Sequence, residues 1–177
     1  MDTYQSYWVI YGTLLFGSLL FSVAVYVVSA IFMAKVFAKA GVEGAWRAWV
    51  PVYNMIVFYK LGDLSPWLVL YGMAGAVVLS WVGIGFLFSL AVYVGSFFAA
   101  YRIGMKLGQE SGLVAMWLLP PLWLIVMAGK KNPWNVNIPP AQWAGNGFLA
   151  DKTVWEGIPS QAPTGMVEFE IDFNGGQ

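Results

Sequence analysis

The stretch EGAWRAWVPVYNMIVFYKLGD, residues 43–63, is apolar enough for a membrane and too interrupted to cross one. Arg47 and Lys60 leave 12 uncharged residues between them, and Pro51 breaks that run, whereas a complete crossing needs about 20. The sequence therefore predicts an interfacial or re-entrant helix over residues 44–62. At helical period Trp46, Trp49, Val50 and Tyr53 share one side with Ile56 or Val57, while Arg47 and Asn54 fall on another. Such a helix can lie in the headgroup plane, with Trp46, Pro51 and Tyr53 seating it and Arg47 and Lys60 setting its depth.

Working outward, residues 7–37 carry no charge before Lys35 and exceed the length needed to cross a hydrocarbon core of about 30 Å. This run is about twice the length of a signal-peptide core and is read as a permanent span. Tyr4, Tyr7, Trp8 and Tyr11 form an aromatic belt at one end, and Lys35 and Lys39 mark the other. After the central stretch, Ser65-Pro66 is a helix start, and residues 66–107 stay apolar until Arg102. The glycines of Val82-Gly83-Ile84-Gly85 divide that run into spans 66–82 and 85–107, with one long bent helix as the alternative. A fourth apolar segment, residues 112–129, contains Pro120-Pro121, where a kink is expected. Lys130-Lys131 ends it.

The expected fold is thus an all-α integral membrane protein with about four transmembrane helices and one interfacial or re-entrant helix. Residues 1–131 form the bundle, and residues 132–177 form an extended arm. Basic residues Lys35, Lys39, Arg47, Lys60, Arg102 and Lys106 place their ends of the spans in the cytoplasm and the N-terminus outside. Four crossings then carry the arm outside as well. Lys130 and Lys131 oppose this, unless they are tolerated late charges or the fourth segment is re-entrant; tolerance is the reading adopted.

Residues Lys39-Ala40-Gly41, then Trp46, Pro51, Tyr53 and Asn54, then the Pro-containing run from Trp117 to Pro121, occur in an order that resembles a known family. Its members are small bacterial membrane proteins of unknown function, sometimes joined to signal-peptidase-like domains. The resemblance covers about residues 35–134 and leaves out the arm and most of the first span. Many members carry a further Pro and Asn within the second span, and residues 66–82 lack that interior Pro. The resemblance implies architecture and location in a bacterial cytoplasmic membrane, and it supplies no catalytic residue.

Composition excludes more chemistry than it suggests. The chain is 59% hydrophobic and 10% charged, against about 25% charged for a soluble domain. Nine Lys and Arg balance nine Asp and Glu, so no basic excess points to nucleic acid. His and Cys are absent, which removes the usual ligands of zinc, copper, haem and iron–sulfur clusters and the usual thiol or imidazole catalysts. No nucleophile-and-base motif appears either, and the chain is read as non-enzymatic.

The remaining candidates are structural or partner-binding. Asn54 either lines a polar path or braces the backbone break after Pro51. Arg102 and Lys106, four apart, either bind a phosphate or carboxylate or act as anchors at the membrane edge. Asp63 and Glu110 have no second acid nearby and make no proton relay. Gly95, Ala99, Gly104 and Gly108 give small residues at four-residue spacing, which lets a helix approach closely from this chain or another.

In the arm, Val167, Phe169, Ile171 and Phe173 alternate with Glu168, Glu170 and Asp172, which is a strand pattern. Together with Trp134, Trp143 and Trp155 this predicts an arm that clamps a partner, since leaving that much apolar surface in water is costly. The expected function is a non-catalytic accessory or scaffold subunit of a larger bacterial membrane complex, partnered by other subunits and lipid. A photosynthetic or respiratory assembly is one setting, where pigment or quinone held by partners would touch its apolar faces. The alternative is a small oligomeric transporter or channel gated at residues 51–54.

Overall fold

The computed structural model describes residues 3–150, 153 and 155–159. Helix α1 (Thr3–Lys39) runs for 37 residues. It meets no proline, and the hydroxyls of Thr13 and Ser22 bond back one turn, to Val9 O and Ser18 O at 2.8 Å each, so both are paired inside this apolar helix. Residues 7–24 are exposed on every side. Burial starts at Ala30 and continues through Met33, Val36 and Phe37.

A turn at Gly41 and a 3-10 turn, Ala45–Ala48, lead into α2 (Pro51–Leu61). Proline occupies the first helical position, where its missing N–H costs nothing. Helix α2 does not expose one whole face as an interfacial helix would; it is built into the interior of the protein. Asn54, Ile56, Val57, Phe58, Tyr59, Lys60 and Leu61 are all buried, and α2 packs against α4 and α3. Two glycines explain how close it comes. A Cβ on Gly62 would stand 2.4 Å from Ala99 Cα, and one on Gly95 would stand 2.4 Å from the Tyr59 hydroxyl.

Helices α3 (Trp67–Leu79) and α4 (Gly85–Lys106) form a hairpin joined by a 3-10 turn, Ser80–Val82, and by Gly83 with φ 77°. The break falls where the glycines placed it. Helix α3 starts one residue later than expected, with Pro66 at the cap and no Ser65 side-chain bond to the helix.

The fourth apolar segment is not a span. A 3-10 helix, Ser111–Leu118, climbs along α4 until the Tyr93 hydroxyl donates to Trp117 O and the Trp117 indole donates to Ser96 Oγ. The chain then turns at Leu119, and α5 (Pro120–Gly129) descends along α1. With Pro120-Pro121 at the turn, each limb has about half the residues that a crossing needs.

Among the described residues two helices are long and apolar enough to cross a membrane, Tyr4–Lys39 and Gly85–Lys106. Four transmembrane helices are not found. No strand occurs among the described residues, and the alternating segment 166–173 lies outside them.

Candidate functional site

The polar centre lies where α2 ends. Asp63 follows the α2 cap at Gly62 with φ 60°, a conformation that Asp tolerates better than most residues. Its carboxylate meets two cations presented one turn apart on α4. Arg102 Nε donates to Asp63 Oδ2 at 2.9 Å, and its Nη2 stands 2.7 Å from the same oxygen. Lys106 Nζ donates to Asp63 Oδ1 at 2.6 Å. The Arg102 and Lys106 side chains are 6% and 1% exposed, so this is a buried cluster and not a pair of charges reaching for the membrane edge.

One carboxylate facing two cations leaves positive charge over, and backbone dipoles absorb it. Lys106 Nζ also donates to Leu61 O at 2.6 Å and stands 5.6 Å from the Trp134 ring centroid. Arg102 Nη2 donates to Pro139 O at 3.0 Å. Trp143 Nε1 donates to Asp63 O at 2.8 Å. The arm thus supplies three of the groups around the cluster, and Asp63 has the neighbours that its sequence surroundings lacked.

The same stitching recurs along the whole basic end. Lys39 Nζ donates to Met127 O at 2.9 Å and to Lys130 O. Lys60, 4% exposed, donates to Thr153 O. Arg47 donates to Glu156 O at 3.0 Å and stands 5.8 Å from the Trp46 ring and 5.9 Å from the Tyr53 ring. In return Glu43 N donates to Gly157 O at 2.8 Å, Ser65 N to Leu149 O at 2.7 Å, Asn132 Nδ2 to Leu107 O at 3.0 Å and Asn135 N to Lys106 O at 2.8 Å.

These bonds bear on three expectations. The boundary at residue 131 does not separate two units, because the described part of the arm is built into the bundle. The described part of the arm lies across the basic residues, because the segment 111–129 folds back along α1. Trp134, Trp143 and Trp155, expected to bind a partner, pack against this chain's own core. Of the strand face, Val167, Phe169, Ile171 and Phe173 lie outside the described residues.

The small residues divide in the same way. Gly95 and Ala99 receive α2, so their close contact is within the chain. A Cβ on Gly104 would meet its nearest neighbour, Gln109 Cβ, at 3.7 Å, an ordinary contact, and Gly108 with φ 65° lies in the turn after α4. Asn54 Nδ2 donates to Ala48 O at 3.2 Å, bridging the break before Pro51.

Among the described residues no group of three or more His, Cys, Asp or Glu comes together. The larger open groove, of about 240 Å³, is lined by apolar residues of α2, α3 and α4 with Ser89 as its polar member. Sequence reasoning missed the role of Asp63. The available signal was an acid directly after a helix-ending glycine, in a chain with two cations one turn apart on a later apolar helix.

No family model, curated protein or solved structure matches this chain.

Proposed function

We propose that the protein is a non-catalytic accessory or scaffold subunit of a larger bacterial membrane assembly, set in the cytoplasmic membrane with its basic end in the cytoplasm. The observation that supports this reading is the use made of its charges. Lys39, Lys60, Arg102 and Lys106 each donate to backbone carbonyls of the same chain. Groups committed in this way brace a fold and do not present an acid, a base or a substrate ligand.

Much of what remains available to other molecules is apolar. Residues 7–24 of α1 carry Trp8, Leu14, Leu15, Phe16, Leu19, Leu20 and Phe21 outward, and the acidic alternating segment 166–173 follows the stitched arm in sequence. Lipid and the helices of partner subunits are the surroundings that suit the first, and strand pairing suits the second.

Purification of the full chain in mild detergent tests the proposal. Other membrane subunits should copurify reproducibly, and deletion of residues 160–177 should loosen that association while leaving the stitched base folded. A chain that purifies alone, or as a homo-oligomer with no other subunit, would contradict it.

A further inference from the structure

Eight Lys and Arg lie among the described residues, all at the basic end, against four Asp and Glu. Five of the eight are committed inside the fold by the bonds given above. The other three, Lys35, Lys130 and Lys131, are exposed. Lys35 stands 5.1 Å from the ring centroid of its neighbour Phe32, and no carboxylate among the described residues pairs with any of the three. They share one patch. Lys39 bonds Lys130 O, and Lys35 lies one turn, about 6 Å, further up the same stripe of α1, the helix along which α5 packs.

The described arm ends beside this patch. Ile158 is buried in the core, Glu43 N donates to Gly157 O at 2.8 Å, and a Cβ on Gly41 would stand 3.5 Å from Pro159 Cγ. Gly41 is two residues past Lys39. Residues 160–177, which follow, carry Glu168, Glu170 and Asp172 and no Lys or Arg. Nine residues separate Pro159 from Glu168, a reach of up to about 30 Å, which covers the patch.

We infer that the acidic face of segment 166–173 docks on Lys35, Lys130 and Lys131 of its own chain. Three acids meet three lysines that have no other counter-charge. Each exposed pair is weak and screened by salt, and the tether at Pro159 makes the three act together by keeping the segment at high local concentration. An anionic lipid surface would also suit the lysines, but it would leave the acids of the tethered segment facing like charge. In an extended segment alternate side chains point to opposite sides. With Glu168, Glu170 and Asp172 on the lysines, Val167, Phe169, Ile171 and Phe173 face away from the base, toward the partner subunit. That last step rests on the proposed function; the docking itself is within the chain.

The absence of cysteine allows a pair of nitroxide labels to be placed at Ala38→Cys and Asn174→Cys in the full-length chain, purified in an uncharged detergent. Double electron–electron resonance should give one narrow, short distance at about 0.1 M salt, and about 1 M salt should broaden it. Lys35→Glu, Lys130→Glu and Lys131→Glu together should abolish the narrow peak. Adding Glu168→Lys, Glu170→Lys and Asp172→Lys should restore it, which a misfolded variant could not do. A broad distance in the parent, or a narrow one that survives the reversal, would overturn the docking. A distance unchanged by the reversal together with loss of bound phosphatidylglycerol would give the patch to lipid instead. Copurification separates this inference from the reading beneath it. A narrow distance in a chain that purifies alone keeps the docking and contradicts the partner, whereas a broad one in a chain that brings subunits with it contradicts the docking alone.

Discussion

The upper part of α1 and the whole of α2 are both apolar helices, and they stand in opposite surroundings. In the 18-residue apolar window of α1 6% of residues are buried, whereas α2 buries seven of its 11 residues. The contrast teaches that hydropathy reports a residue's preference for leaving water and does not say whether lipid or protein replaces it. What separates the two is the polar atoms. In the upper part of α1 the hydroxyls of Thr13, Ser18 and Ser22 turn back onto their own helix. In α2 the polar atoms Asn54 Nδ2, Tyr59 Oη and Lys60 Nζ reach carbonyls elsewhere in the chain, at Ala48, Val92 and Thr153, and the helix is complete only inside the fold.

That contrast can be broken most forcefully at the charge cluster. Asp63→Asn leaves Arg102 and Lys106 buried without a counter-charge, and stability of the base should fall by about 3–5 kcal/mol. Thermal unfolding in detergent reads the loss, and adding Arg102→Met to the variant should return part of it. An unchanged unfolding temperature would mean that the cluster is not holding the arm. Next, Phe58 stacks on Trp117 with centroids 4.9 Å apart and is fully buried, so Phe58→Ala should cost about 3–5 kcal/mol. Phe16→Ala in α1 should leave the base within about 0.5 kcal/mol of the parent. Equal losses at the two positions would erase the distinction between the helices.

Glycines sharpen it on a smaller scale. Gly95→Ala sets a methyl against the Tyr59 ring and should cost about 1–3 kcal/mol, whereas Gly12 and Gly17 have nothing within 4 Å and should accept alanine without loss. Smallest is Trp143→Phe, which deletes the indole donor to Asp63 O while keeping much of the contact with Phe98. A loss of about 0.5–1.5 kcal/mol is expected, and a larger one would mean that Trp143 packing matters more than its bond.

Helical content, the long first helix and the hairpin turn at Gly83 were legible in the sequence because each depends on neighbouring residues. Composition and glycine spacing are enough for them. Two features were not. Asp63 lies 39 and 43 residues from its cations, and nothing local marks such a pairing. The returning limb at residues 111–129 carries the hydropathy of a span, and what distinguishes it is Pro120-Pro121 at its middle, which was read as a kink instead of a reversal. From the reading of that segment as a crossing followed the expected side of the arm. An added crossing would send it away from the basic residues, whose donors in fact hold its carbonyls.

The side of the arm is therefore the most direct thing to measure. Tyr4→Cys and Phe148→Cys, both at exposed positions, can be labelled in sealed, oriented membrane vesicles with a maleimide that does not cross the bilayer. The fold predicts that Tyr4→Cys labels from one face and Phe148→Cys only after the membrane is opened, or the reverse in inverted vesicles. Labelling of both from the same face would contradict it and restore an even number of crossings.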